Sequence, residues 1–523
     1  MKKASDYLFR LIHSLSQSEQ RYFKLFARRH VSRRENKYVR IFDIVAGQKQ
    51  YDEEPLRKFF PGRNASAGLF AAKDYLFKMI LRSLEVHHAR NTVHSTLKNQ
   101  LTHIEVLYRK GLYKICARIL SQAKEEAYRF EDFYAVMQLL GWERTLMITT
   151  ADLPSLEENE ARIFSEELSI IKKTENINAY QHLHSQVIII SFKEGHVRKE
   201  KEIKKLRSIM DHPLLSDERQ ALSYSAKLSY YRIYASYFYT IADRDKYYRY
   251  LKKQMILMES HPHQIKEQQG NYLRLLNNFI PACIMTAHYR EAEAGLQKFK
   301  NITGADKEVK AYIFINTHSN ELDLSFSRGE YKKALSIIPA IEKGLQQFNN
   351  HSSRERLLIL YFDIFYVYFA LEDYSRALKW INRILNERHI GLREDLYANA
   401  RMMNLVVHFE LGNTDLLEYI VRSTYRYLYK RDRLYRFETA LLNFIRRKLP
   451  GILNRDELIK AFKILKEELQ EIIKDSSEQK ALEYFDFISW LESKVEGKPF
   501  AEIVRRKYHN LLLRKPAGAR GMP

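Results

Sequence analysis

The segment Val421 to Phe437, VRSTYRYLYKRDRLYRF, interleaves cations with aromatic rings. Drawn on one continuous helix, Arg422, Arg426, Lys430, Arg433 and Arg436 fall within a third of the circumference, with Tyr425 and Tyr429 among them. Cations neutralise phosphate or carboxylate, and rings stack on bases, so the pattern suits a face that binds an anion or a partner. A helix break expected near Lys430 to Asp432 would split that stripe. A second candidate lies between Asp52 and His88, which reads as helix, turn, helix. In a helix-turn-helix reader the second helix enters the major groove. Lys73, Lys78, Arg82 and Arg90 would then meet phosphate or base edges, with Arg57, Lys58 and Arg63 on the backbone. The same helix carries Phe70, Leu76, Phe77, Met79, Ile80 and Leu81, so much of it must face a core. The alternative role for this segment is a basic cap.

Residue types that carry catalysis lack the spacing catalysis needs. The chain has no P-loop, no GxGxxG and no GxSxG. Its close histidines (His87, His88 and His94; His182 and His184; His261 and His263) never fall in the HExxH spacing that sets two imidazoles on one helix face. Glu157-Glu158 and Glu166-Glu167 read as solvated charge, and Cys116 as a small buried residue. No catalytic residue, metal site or cofactor is expected.

The elements that must position the basic stripes come from a repeat. KGLYKICARIL (Lys110 to Leu120), AHYREAEAGL (Ala287 to Leu296), RGEYKKALSII (Arg328 to Ile338) and LEDYSRALKWI (Leu371 to Ile381) share one phrase. A turn-prone residue precedes Tyr, two polar residues follow, and a small residue opens an apolar helix. Weaker turns are expected near Ser155, Arg198, Arg244, Thr414, Asn454 and Pro499, which makes the step about 43 residues. Upstream helices such as Asn271 to Ala287 and Leu396 to Leu411 are apolar nearly all round. Downstream ones such as Asp456 to Lys474 carry a single apolar stripe.

GEYKKAL (Gly329 to Leu335) and EDYSRAL (Glu372 to Leu378) resemble the G-D-Y-x-x-A-L phrase of the tetratricopeptide-repeat superfamily, although that family's step is shorter. The resemblance implies an all-α, right-handed superhelical solenoid of antiparallel helix pairs. It covers residues 96–515 in about ten pairs and offers a groove to partners. Residues 1–95 lack the phrase and read as a basic helical N-terminal domain or cap, with helices near Gln17 to Arg29, Asn36 to Gln48, Asp52 to Phe60 and Ser66 to His88. Residues 516–523 read as a disordered tail.

Charge sets the expected partner. The chain carries a formal net charge of +23, which favours acidic partners. Residues 1–95 hold 19 Lys and Arg against 9 Asp and Glu, and residues 498–523 hold 7 against 1. Two cysteines give no disulfide framework and fit a reducing, cytoplasmic setting. The most apolar run, Leu357 to Leu371, contains Asp363 and is too short to span a bilayer. The expected function is a non-enzymatic scaffold that binds an acidic protein or peptide in the solenoid groove. The rival is a nucleic-acid-associated regulator that uses the N-terminal helices, with the solenoid as sensor or dimerisation module.

Overall fold

The computed structural model describes residues 6–514 except 31–36, 61–64, 89–91, 151–152, 195–196, 198–199, 303–306, 349–352, 388–393, 453, 476–477 and 483–484. The described residues form helices and connecting turns, with no strand among them. No described helix is long and apolar enough to cross a membrane. The chain divides into two compact units, Met1–Lys173 and Thr174–Pro523.

The first unit begins with α1 (Tyr7–Ser14), α2 (Gln17–His30), α3 (Lys37–Gly47), α4 (Glu54–Arg57) and α5 (Ala65–His88). These close on a core that includes Leu8, Ile12, Phe23, Phe42, Leu56, Leu76 and Ile80. Where a helix is expected over Asp52 to Phe60, α4 is a single turn. Pro55 lies in its first turn, and Pro61 disfavours helical geometry in the residue before it. Next come α6 (Val93–Arg109), α7 (Tyr113–Arg129), α8 (Phe133–Thr149) and α9 (Leu153–Glu194), whose later part belongs to the second unit. The repeat spacing places one helix, a turn and a second helix between Ser155 and Arg198. The chain instead builds one 42-residue helix there. Leu156 to Lys193 contains neither Gly nor Pro to stop it.

The second unit continues with α10 (Glu200–Met210), α11 (Tyr224–Thr240), α12 (Arg244–Glu259), α13 (Pro262–Glu267), α14 (Gln269–Met285), α15 (Tyr289–Asn301), α16 (Lys307–Ser327) and α17 (Tyr331–Phe348). After these come α18 (Arg354–Ala370), α19 (Tyr374–Leu385), α20 (Glu394–Glu410), α21 (Thr414–Lys430), α22 (Arg436–Asn443), α23 (Arg455–Ile472), α24 (Phe487–Glu496) and α25 (Phe500–Arg514). Neighbouring helices pack in pairs: α11 with α12, α14 with α15, α16 with α17, α18 with α19 and α20 with α21. The first members α14, α16 and α18 also pack on one another in that order. This arrangement is compatible with a helical repeat solenoid.

The recurrent phrase has a structural meaning. At Gly111, Ala242, Ala287, Gly329, Glu372 and Gly412 the backbone turns left-handed, with φ between +56° and +73°. The next amide donates to the carbonyl five residues back. Examples are Leu112 to Leu107 at 3.0 Å, His288 to Cys283 at 2.7 Å and Asp373 to Tyr368 at 2.9 Å. That bond closes a helix C-terminus in a Schellman-type turn. Asp243 and Asp373 then cap the following helix by accepting from the amides of Lys246 and Arg376. The phrase tyrosines Tyr113, Tyr289, Tyr331 and Tyr374 are each the first helical residue. Three residues on, Cys116, Ala292, Ala334 and Ala377 are fully buried, because a small side chain lets the paired helix approach closely. First helices are sheathed on several sides: α18 buries Leu357, Leu360, Ile364, Phe365 and Val367 together. Second helices bury one stripe, as α19 does with Ala377, Trp380, Ile381 and Ile384.

Helices α24 and α25 return to the turn ends of earlier pairs. The Trp490 indole donates to Glu410 at 2.6 Å, and Lys494 pairs with the same carboxylate at 2.6 Å. Arg505 donates to the Gly329 carbonyl at 3.2 Å, while Phe500 packs on Tyr331, Tyr366 and Phe369.

Candidate functional site

In the first unit, burial on α5 follows a helical stripe: Leu69, Ala72, Lys73, Leu76, Met79, Ile80 and Ser83 face the core. Lys73 is therefore turned inward. It donates to the Tyr51 hydroxyl at 2.7 Å and lies 4.0 Å from Glu53. Lys78 and Arg82 are exposed on the opposite side, with Lys78 paired to Asp74 at 2.7 Å. Arg57 and Lys58 are also exposed, and Arg57 lies 3.4 Å from Glu54. Phe70, Tyr75 and Leu81 stand in solvent on α5 as well. Arg63 and Arg90 lie outside the described residues.

The stripe over Val421 to Phe437 is divided. Helix α21 ends at Lys430, Asp432 is left-handed, and Arg433 falls in the connection before α22. Arg422, Arg426 and Lys430 share the outer face of α21 with Tyr419, Tyr425 and Tyr429. The Tyr425 and Tyr429 rings are parallel, 6.2 Å apart with 6° between planes, and Tyr429 is 69 % exposed. Arg422 is neutralised locally by Glu418. Arg436 is exposed, and its backbone amide is held by Glu478 at 3.2 Å. A π-helical turn at Phe444–Lys448, packed on α21, adds exposed Arg446, Arg447 and Lys448.

A more ordered arrangement of cations lies on the first helices of the second unit. Arg232 of α11, Arg274 of α14, Asn316 of α16 and Arg356 of α18 sit 10, 13, 13 and 16 residues before the left-handed residues Ala242, Ala287, Gly329 and Glu372. Neighbouring offsets differ by three residues or none, which keeps adjacent members of the row close to one helical face. The groups feel one another in sequence. Burial, with a further contribution from the Arg274 charge, pulls the Arg232 guanidinium below its ordinary pKa, and the phenol of Tyr224 opposes them. Burial raises the Tyr312 phenol, while Arg356 and Arg274 counter it. Burial, with Arg232 beside it, drops His184 of α9 to about 4, so this imidazole is neutral at pH 7. Arg356 donates to the Asn316 side-chain oxygen at 2.8 Å, and its guanidinium lies over the Tyr312 ring, 4.1 Å from the centroid. Asn316 in turn donates to the Tyr312 carbonyl at 2.6 Å, and Asn320 to the Asn316 carbonyl at 2.7 Å. Arg274 donates to the Asn271 side chain. Among the described residues, no carboxylate pairs with Arg232, Arg274 or Arg356. Sequence reasoning passed over this row because it spans four successive helix pairs. The available signal was the count back from each turn.

The first unit treats its inner charges differently. Lys124 bridges Glu143 at 2.6 Å and Glu166 at 2.8 Å, and Arg162 joins both carboxylates. The Tyr128 hydroxyl donates to Glu166. Arg144 meets Glu167 with two bonds of 2.8 Å and Glu160 with a third of 3.1 Å. Burial would raise the Glu143 carboxyl, but hydrogen bonds from Lys124 and Arg162 outweigh it and hold the group below its ordinary value.

Two acids form a different cluster. Asp363 of α18 is buried and accepts from the Ser319 hydroxyl of α16. Burial, then the neighbouring Asp323, pushes its pKa well up, and burial also raises Asp323. The tyrosines of Ser229 to Leu251 mostly pack: Tyr230 and Tyr231 are buried, and Tyr234 stacks on Tyr250 at 4.6 Å. Cys116 and Cys283 are free and buried, and burial lifts the Cys283 thiol to about 12. No group of three His, Cys, Asp or Glu able to hold a metal ion occurs among the described residues.

Comparison of the chain with protein-family models, with curated proteins and with solved structures gives no match.

Proposed function

We propose that this chain is a non-enzymatic interaction scaffold. Its helix pairs form a tetratricopeptide-like, right-handed superhelical solenoid whose groove takes an acidic partner protein or peptide in a cytoplasmic setting. One observation carries this reading: among the described residues, no carboxylate pairs with the cationic row Arg232, Arg274 and Arg356. A half-buried charge without a counter-ion costs stability, so a partner that supplies the carboxylates regains free energy on docking. Such binding is weakened by salt, because screening shortens to a few ångströms near 1 M. The test is a titration of the full chain with an acidic polypeptide such as poly-glutamate, at low salt and again near 0.5 M. Binding that tightens or holds constant with salt overturns the reading.

A second reading, association with nucleic acid, has its own observation. Parallel, exposed Tyr425 and Tyr429 beside Arg422 and Arg426 form a small platform of the kind that stacks bases. The N-terminal unit separately offers exposed Arg57, Lys58, Lys78 and Arg82 for phosphate, while Lys73 is committed to Tyr51. A gel shift of the full chain with single-stranded DNA at low salt tests it. Retention of the shift by a Tyr425→Ala, Tyr429→Ala double variant counts against the platform.

A further inference from the structure

This inference rests on the scaffold reading and names the ligand that the row on the first helices would recognise. Side-chain charges usually meet a partner from the same chain. Here the Arg232 guanidinium is half-buried on α11 with a like charge, Arg274, bearing on it. Arg274 is exposed on α14. Arg356 leaves α18 and reaches back over Tyr312, where Asn316 holds it, so its charge sits at the level of α16. The three cations therefore occupy three consecutive levels: α11, α14 and α16.

Spacing converts this row into a recognition pattern. Packed helices lie about 8–10 Å apart; α14 packs on α16, and Arg232 of α11 is near enough to Arg274 to feel its charge. A polyproline II chain rises about 3.1 Å per residue with three residues per turn, so every third side chain returns to the same face about 9 Å further on. A β-strand alternates faces every residue and presents same-face groups about 6.6 Å apart, which falls short of one level. Guanidinium groups in a fork geometry prefer carboxylate. Arg232, Tyr312 and Arg356 are each half-buried, so part of each remains open to a ligand. We infer that this row binds an extended acidic peptide in the polyproline II conformation, with carboxylates at positions i, i+3 and i+6 facing Arg232, Arg274 and Arg356.

Fluorescence anisotropy of the full chain in about 50 mM salt, where the Debye length is above 10 Å, tests the assignment. The probe is a labelled peptide of four Glu-Pro-Pro triplets. Its Gln-Pro-Pro counterpart is expected to bind at least tenfold more weakly. A peptide with the same four glutamates spaced two apart should lose about fivefold, because its charges spiral off the common face. Arg274→Ala and Arg356→Ala should each weaken the Glu-Pro-Pro peptide about tenfold. Arg232→Met should weaken it similarly while raising the melting temperature of the chain, a combination that general unfolding does not produce. Equal affinity for both glutamate spacings, or wild-type affinity in the three variants, overturns the row as the site. A single-stranded oligonucleotide that displaces the peptide and loses affinity in the same variants overturns the peptide assignment in favour of nucleic acid. If poly-glutamate binds in a salt-dependent manner while the variants are unaffected, the scaffold reading stands and this inference falls. If no acidic polypeptide binds at all, both fall.

Discussion

Two clusters of basic residues, one in each unit, are treated in opposite ways. Lys124, Arg144 and Arg162 in the first unit each meet two carboxylates. Arg232, Arg274 and Arg356 in the second unit meet an asparagine, a tyrosine ring or another cation. The first cluster is electrostatically closed: its charges are used up in fastening α7, α8 and α9 together. The second is open: among the described residues no carboxylate pairs with it, so negative charge supplied by a partner would lower its free energy. Counting cations in the sequence does not separate the two. What separates them is whether carboxylates 4 to 42 residues away fold onto the same spot.

The largest effect should come from opening the closed cluster. Glu166→Ala removes the acceptor shared by Lys124, Arg162 and Tyr128. It is expected to cost about 2–3 kcal/mol in urea unfolding, because partly buried cations and a hydroxyl lose their counter-group. A change below about 0.5 kcal/mol would erase the contrast between the two clusters.

The next effect is a pH dependence carried by His184. Its folded pKa of about 4 lies below the ordinary 6.5, so below 6.5 the unfolded chain binds a proton that the folded one refuses. This stability is present above about pH 6.5 and is lost as pH falls toward 4, amounting to about 2 kcal/mol after allowance for solvent screening. Comparison of wild type with His184→Gln at pH 7.5 and pH 4.5 isolates the term. Parallel losses in the two proteins would mean that His184 is not held neutral beside Arg232.

A smaller effect, of opposite sign, belongs to the buried acid pair. Burial raises Asp363, so its charged form is disfavoured in the fold and stability falls as pH rises above the ordinary carboxylate range. Asp363→Asn keeps an acceptor for Ser319 and should gain about 1 kcal/mol at pH 7.5, with no gain near pH 4. Destabilisation at pH 7.5 would show that the carboxylate has a partner that matters more than its burial. The smallest effect is Arg422→Ala on the exposed face of α21. Its pair with Glu418 is solvated on both sides, so unfolding should shift by less than about 0.5 kcal/mol.

Much of the local architecture was legible in the residues. The Tyr phrase marked the helix starts at Tyr113, Tyr289, Tyr331 and Tyr374, because a left-handed turn, a capping group and a small residue three positions on are local demands. The break that divides the Arg422 to Arg436 stripe was also visible from the spacing. The long helix α9 was not, since a spacing rule cannot see that Leu156 to Lys193 offers no place to stop. Lys73 shows the same limit at a site: its type suggested phosphate, and its position on the inward stripe of α5 gave it to Tyr51.

The sequence by itself determined the helical class, the pairing through short turns and the excess of positive charge, because periodicity, capping and composition act within a few residues. Only the tertiary structure decided which charges are spent. It brought Glu143 and Glu166 onto Lys124, left Arg232 beside Arg274, and returned α25 so that the Arg505 backbone lies 2.9 Å from where a Cβ at Gly329 would sit. Those meetings join residues 19 to 176 positions apart, and such long-range contacts follow from the packing of whole helices, which no local pattern encodes.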